Sequence, residues 1–159
     1  MTEPVPRRRV NVRAIIRKDG KLLAVKHRSD ERGEATYYAV PGGGLDLHES
    51  LVAGVKRELY EELGVEAEVG RLLFIQQFPS ERSGYEEELE FFFEVTNVDD
   101  FLNIDISNTS HGHELAVCEF IDPAKETLYP VFLQSVDFAS YLSGAAPTLV
   151  VDNLDEDAK

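Results

Sequence analysis

Apolar positions along this chain recur with two different periods, and the switches between them divide it into elements. Residues 10–17 and 22–26 are apolar, partly β-branched runs separated by Asp19-Gly20. That dipeptide tolerates positive φ and suits a tight turn, so a β-hairpin is expected. A polar loop over residues 28–36 leads to Tyr37-Tyr38-Ala39-Val40, a short strand halted by Pro41 and three glycines. From Ser50 to Leu63 the period lengthens: Val52, Val55, Leu59 and Leu63 fall at helical spacing and Gly64 stands where a left-handed cap belongs. The apolar stripe of this helix should pack on a sheet. Residues 65–78 and 89–95 read as strands. In the second, Leu89, Phe91, Phe93 and Val95 alternate with Glu90, Phe92 and Glu94, which predicts one buried face. Residues 115–121 form another strand, the polar stretch 96–113 is irregular, and residues 131–142 form a closing helix anchored by Phe132, Val136, Phe138 and Leu142. Strands and helices interleave without regular βαβ spacing, which favours a mixed sheet with helices packed on it over a doubly wound parallel fold.

At 159 residues the chain has room for one domain with a hydrophobic core. It is expected over residues 10–143, between an N-terminal arm (1–9) carrying Arg7-Arg8-Arg9 and an acidic tail (144–159) that frays. The formal charge of −14 opposes binding to a nucleic-acid polymer or an anionic membrane, both of which need cationic surface. A small anionic substrate stays allowed, because divalent cations neutralise both it and the carboxylates that hold them. The single cysteine, Cys118, has no internal disulfide partner, and no signal-peptide pattern or long apolar run is seen, so the cytoplasm is the expected location.

The chemistry concentrates in residues 43–65. Glu58, Glu61 and Glu62 share one face of the expected helix. Like charges at this spacing destabilise a helix unless a hard cation such as Mg²⁺ or Mn²⁺ compensates them. Gly54, one turn earlier, would leave space for metal and phosphate, and Arg57 is placed to fix a carboxylate rotamer with its guanidinium fork. The alternative is an ordinary solvated helix face.

In order, Gly43, Glu49, Arg57, Glu58, Leu59, Glu61, Glu62, Gly64 and Val65 resemble the Nudix box, G-x5-E-x7-R-E-U-x-E-E-x-G-U, at every specified position. The resemblance implies the α/β Nudix fold, a mixed β-sheet sandwiched between α-helices, and a Mg²⁺-dependent phosphoanhydride hydrolase in which water attacks phosphorus. By position it makes Glu58, Glu61 and Glu62 metal ligands, supported by Glu49 and by a backbone carbonyl near Gly42 or Gly43. Glu49 also reads as a charge favoured by the helix dipole. The base that activates water is Glu58 or, from a later loop, Glu114, which also reads as an exposed strand-start charge. His111 and His113 flank Glu114 and read more simply as exposed side chains. Lys26, His27 and Arg28 are candidates for phosphate contact, and Phe74, Phe78, Tyr37 and Tyr85 for stacking a base, with core packing as the alternative role. Cys118 reads as a small buried residue.

The box says little about what is attached to the diphosphate. Pro79, 15 residues after Gly64, resembles a proline of ADP-ribose pyrophosphatases and tilts the expectation toward ADP-ribose or a nucleotide sugar. The alternatives are hydrolysis of a canonical or oxidised nucleoside triphosphate, and a nucleotide-sensing domain without turnover. A small nucleotide is the expected partner, and a homodimer would suit the family.

Overall fold

The computed structural model describes residues 2–29 and 33–154. The expected loop positions 30–32 and the tail positions 155–159 lie outside the described residues. The chain runs through β1 (Arg8–Ile15), β2 (Arg17–Lys18), β3 (Lys21–Ser29), β4 (Gly33–Glu34), β5 (Tyr38–Ala39), β6 (Gly42–Gly44), α1 (Leu51–Leu63), β7 (Val69–Pro79) and β8 (Glu87–Val95). Three short 3₁₀ turns precede β9 (Leu115–Ile121), followed by β10 (Leu128–Tyr129), a 3₁₀ turn at Val131–Gln134, α2 (Phe138–Leu142) and β11 (Leu149–Asp152). One mixed sheet has the order β11-β7-β8-β1-β6, and the second is built around β3, which pairs with β2, β4, β5 and β9 while β10 pairs with β5.

The buried side chains form two clusters. Val12, Ala14 and Phe93 pack with Val55, Leu59 and Leu63 of α1, whereas Ile15, Phe74 and Phe92 pack with Leu133 and Phe138 of the C-terminal helical segment. The sheets are thus covered by helices, the α/β arrangement expected. Helix α1 follows its local signals: Ser50 Oγ accepts from Ala53 N at 3.1 Å, and Gly64, at φ +72°, donates its N–H to the Tyr60 carbonyl at 2.9 Å. Val52 departs from the expected stripe at 41% exposure, while Gly54 and Glu62 join the buried face.

Several expectations are corrected. The Asp19-Gly20 turn forms, with φ of 53° and 78°, but it pairs only Arg17 and Lys18 with Leu22 and Lys21. Instead of extending that hairpin, β1 runs parallel to β8 and antiparallel to β6. Ile15 and Ile16 are both fully buried and belong to opposite clusters, as alternation along an extended chain requires, and between β1 and β2 the chain passes from one sheet to the other. The strand expected from Val65 starts at Val69. On β8 the face carrying Glu88, Glu90 and Phe92 is buried, so Glu90 does not point to solvent; it is ion-paired with Arg13. The closing helix is broken between Gln134 and Phe138, although Phe132, Val136, Phe138 and Leu142 do anchor it. Leu149–Asp152, expected to fray, pairs parallel with β7, and the strand that follows the N-terminal arm already includes Arg8 and Arg9.

Candidate active site

Residues 43–65 fold so that one arginine organises the acidic face. Arg57 Nε and Nη2 donate to the two carboxylate oxygens of Glu49 at 2.7 and 2.8 Å. Its Nη1 donates to Glu58 at 2.9 Å and to Glu61 at 3.3 Å, and Nη2 also reaches the Gly44 carbonyl at 3.0 Å. The fork is fully used within the protein, as a positioning role requires. Glu49 is consequently held below the usual carboxylate range by the Arg57 hydrogen bond.

Glu62 sits apart from this hub. It is only 4% exposed, and its Oε2 accepts from the Gly42 N–H at 3.3 Å. Burial pushes its carboxyl up to about 8; Arg13 opposes the rise, and the nearby charges of Glu58 and Glu114 add to it. Burial also raises Glu58. A group that is costly to ionise in isolation is stabilised in its charged form by a neighbouring cation.

The glycines next to this face are there for close approach. A Cβ on Gly43 would lie 2.6 Å from Glu58 Oε2, and one on Gly42, whose φ is +145°, would lie 2.1 Å from the Val12 carbonyl oxygen. Gly54 has a different role from the one expected. A Cβ there would meet Leu45 at 2.5 Å and Glu49 and Val12 at 3.2 Å, so its bareness lets α1 close onto β1 and the loop before the helix.

Among the described residues no three metal-ligating side chains already converge on one point, since Glu58 and Glu61 are turned onto Arg57. The donor set nevertheless fits a hard divalent cation: carboxylate oxygens only, one of them buried and resisting ionisation, beside a bare backbone at Gly43.

Other expected residues divide. Glu114 is exposed at the start of β9, within electrostatic reach of Glu62 and His27. His111, read as simply exposed, instead places Nδ1 3.2 Å from Glu61 Oε2, and its N–H donates to the Glu61 carbonyl at 2.8 Å; His113 is exposed. Thr109 Oγ1 donates to the Glu62 carbonyl at 2.9 Å, so the loop before β9 docks on the end of α1. Lys26 lies over the Tyr38 ring at 4.7 Å, and Arg28 is exposed near the end of β3. Burial holds His27 below the usual imidazole value, with Arg13 and Arg82 adding to the effect. Phe74 is fully buried among Phe92, Phe132, Phe138 and Tyr141, which removes it as a stacking candidate, and Tyr85 holds Arg7. Cys118 is half-buried and its thiol is pushed up to about 12 by burial.

A cleft of about 950 Å³ adjoins the acidic face at Arg13 and is lined by Tyr37, Phe78, Gln76, Glu90 and Tyr129 among others. Sequence reasoning found Phe78 and Tyr37 but missed Arg13, Gln76 and Glu90. The signal was present in the two-residue alternation of Arg9, Asn11 and Arg13 on β1 with Glu88 and Glu90 on β8.

Comparison with known proteins agrees with this geometry. A NUDIX domain family model matches residues 5–136. A CTP pyrophosphohydrolase of Escherichia coli is 32% identical over 120 residues, covering 76% of this chain and 80% of that protein. A MutT-like protein of Streptomyces ambofaciens is 40% identical over 58 residues, so the match spans only 36% of this chain and 34% of that protein. In three dimensions the solution structure of the E. coli ORF135 protein superposes with a TM-score of 0.65 at 25% identity, covering 91% of this chain and all of that one. The chain belongs to the Nudix family and is a pyrophosphatase-type hydrolase. Nudix hydrolases generally use divalent metal ions and act on small nucleotide-linked substrates. Among the described residues no helix is long and apolar enough to cross a membrane.

Proposed function

We propose that this chain hydrolyses a phosphoanhydride bond of a nucleoside triphosphate, releasing the monophosphate and pyrophosphate, with Mg²⁺ or Mn²⁺ as cofactor. The observation that carries the reading is the Glu49–Arg57–Glu58–Glu61 network beside the buried Glu62, opening onto the aromatic cleft at Arg13. Glu58, Glu61 and Glu62 would hold the ion, with Glu49 and the Gly43 carbonyl in support. The ion, when bound, offsets the phosphate charge and activates the attack of water on phosphorus. Arg57 positions the carboxylates, and Gly42 holds Glu62 through its N–H. The proton of the attacking water goes to Glu58 or to Glu114, whose charge acts on the same region as Glu62. Lys26 and Arg28, on β3, are phosphate contacts, and Phe78 flanks the base.

The sequence alone leans toward ADP-ribose or a nucleotide sugar through Pro79, which lies on the rim of the cleft and keeps that second reading in play. The similarity to a CTP pyrophosphohydrolase over three-quarters of the chain supports the triphosphate branch. The test is a Mg²⁺-dependent release assay over triphosphates, ADP-ribose and nucleotide sugars, run beside Glu61→Gln and Glu114→Gln. Triphosphate turnover lost by orders of magnitude in Glu61→Gln is expected, and a comparable loss in Glu114→Gln identifies the base as Glu114. Hydrolysis of ADP-ribose with inert triphosphates selects the second reading. Nucleotide binding without any turnover makes the protein a sensor.

A further inference from the structure

The floor of the cleft carries polar groups that hydrolysis does not use. Strand register sets Gln76 of β7 and Asn11 of β1 on either side of Glu90 of β8, in one row on the sheet face turned away from α1. All three are buried, at 4%, 0% and 5% exposure respectively. Glu90 Oε2 accepts from Arg13 Nε at 3.0 Å and Asn11 Nδ2 at 3.3 Å. Among the described residues its Oε1 has no hydrogen-bond partner, and neither does the buried Asn11 Oδ1. The Gln76 Oε1 accepts from Asn153 Nδ2 at 3.4 Å, which turns its amide N–H₂ elsewhere. The row therefore offers the cleft an acceptor at Glu90 Oε1 beside a donor at the Gln76 amide, since Glu90 and Gln76 both line it.

Glu90 Oε1 keeps contact with the cleft, and a ligand that displaces solvent there must bring a donor, because an acceptor sealed from water and left unpaired is costly. The cleft walls narrow the choice of ligand: Phe78, Tyr37, Tyr129 and Phe132 present rings, which suit a flat heteroaromatic. Arg13 joins this floor to the acidic face, since the guanidinium that holds Glu90 also acts on Glu58 and Glu62.

We propose that Glu90, with Gln76 beside it, selects the base, favouring nucleotides whose base carries an exocyclic amino group (cytosine, adenine or guanine) over those with ring carbonyls only (uracil, thymine or hypoxanthine). This rests on the reading that the substrate is a nucleotide whose base enters the cleft. The amino N–H donates to Glu90 Oε1 while the Gln76 amide donates to a neighbouring ring acceptor. A carbonyl in the amino position would instead set two acceptors against each other and leave Glu90 unpaired, a mismatch that buried polar sites reject.

The test uses the full chain with Mg²⁺ and two substrate pairs, CTP against UTP and CDP-glucose against UDP-glucose, together with calorimetric binding of CMP and UMP. The amino member is expected to win by about 10–100-fold in kcat/KM for whichever pair is turned over, and in affinity for the monophosphates. In Glu90→Gln, whose amide can donate to a carbonyl, the ratio should collapse to near one or invert. Equal affinities for CMP and UMP, no binding of either, or an unchanged ratio in Glu90→Gln overturns the proposal. If Glu90→Gln does not fold, Gln76→Met keeps the Arg13–Glu90 pair and should weaken CMP binding about tenfold; unchanged CMP binding then overturns it. A loss from CMP to dCMP that Glu90→Gln abolishes would assign Glu90 to the ribose instead. Turnover of the sugar nucleotides with inert triphosphates defeats the proposed function while leaving the base preference readable. Efficient triphosphate turnover blind to the base does the reverse.

Discussion

Replacing Glu62 by glutamine should flatten the pH dependence of stability of the metal-free protein. The Glu62 carboxyl rises from 4.5 to about 8, chiefly through burial, so the folded protein holds a proton there that the unfolded chain has released. Folding stability from this group is therefore fully present below about pH 4.5 and is lost as pH rises toward 8. At 1.36 kcal/mol per pH unit that interval corresponds to about 4–5 kcal/mol as an upper limit. In a domain of this size it amounts to a fall in Tm of about 10 °C or more. The assay is thermal unfolding in EDTA between pH 5 and 8, with wild type and Glu62→Gln measured side by side so that titrating groups remote from Glu62 cancel in the difference. Glutamine keeps an oxygen for the Gly42 N–H and removes the ionisation. Mg²⁺ should restore wild-type Tm more strongly at pH 8 than at pH 5, because it binds the ionised form, and should release a proton seen as a buffer-dependent heat. Parallel Tm curves for the two proteins would refute the reasoning.

Arg57→Lys keeps the charge but not the fork that holds Glu49, so Mg²⁺ affinity and kcat/KM should fall by about 10–100-fold while the far-UV spectrum is retained; an affinity within twofold of wild type would show that the fork is dispensable. Gly112→Ala places a Cβ 1.6 Å from the Ile106 carbonyl oxygen, so the loop that carries His111 to Glu61 must rearrange. Expected are a loss of about 2 kcal/mol or more in urea unfolding and faster proteolysis between residues 105 and 114; wild-type stability would mean that the loop docks loosely.

What was legible in the sequence was local. Helix α1 and its Gly64 terminus are written in spacings of three or four residues, and both are found as read. The contact of Arg57 with Glu61 follows the same periodicity, whereas its bidentate contact with Glu49 comes from the loop before the helix. Long-range pairing was not legible. Nothing near β1 shows that its partner is β8, about 80 residues on, and that pairing is what buries Glu90 against Arg13 and Asn11. Taken alone, a strand with alternating Glu and Phe reads as one wet face and one dry face. The pairing of Leu149–Asp152 with β7 and the docking of His111 on Glu61 were hidden for the same reason, since both depend on partners remote in sequence.

Strand β1 serves two clients at once. Val12 and Ala14 sit under the helix that bears the carboxylates, while Arg9, Asn11 and Arg13 meet Glu88 and Glu90 on the opposite surface. Because side chains on a strand alternate, losing or gaining one residue within Arg8–Ile15 would exchange the two sets and put aliphatic groups in the cleft and guanidiniums beneath the helix. The strand can drift by substitution, but its length is frozen, and changes in what the cleft accepts must come through the identities of side chains here and through insertions elsewhere.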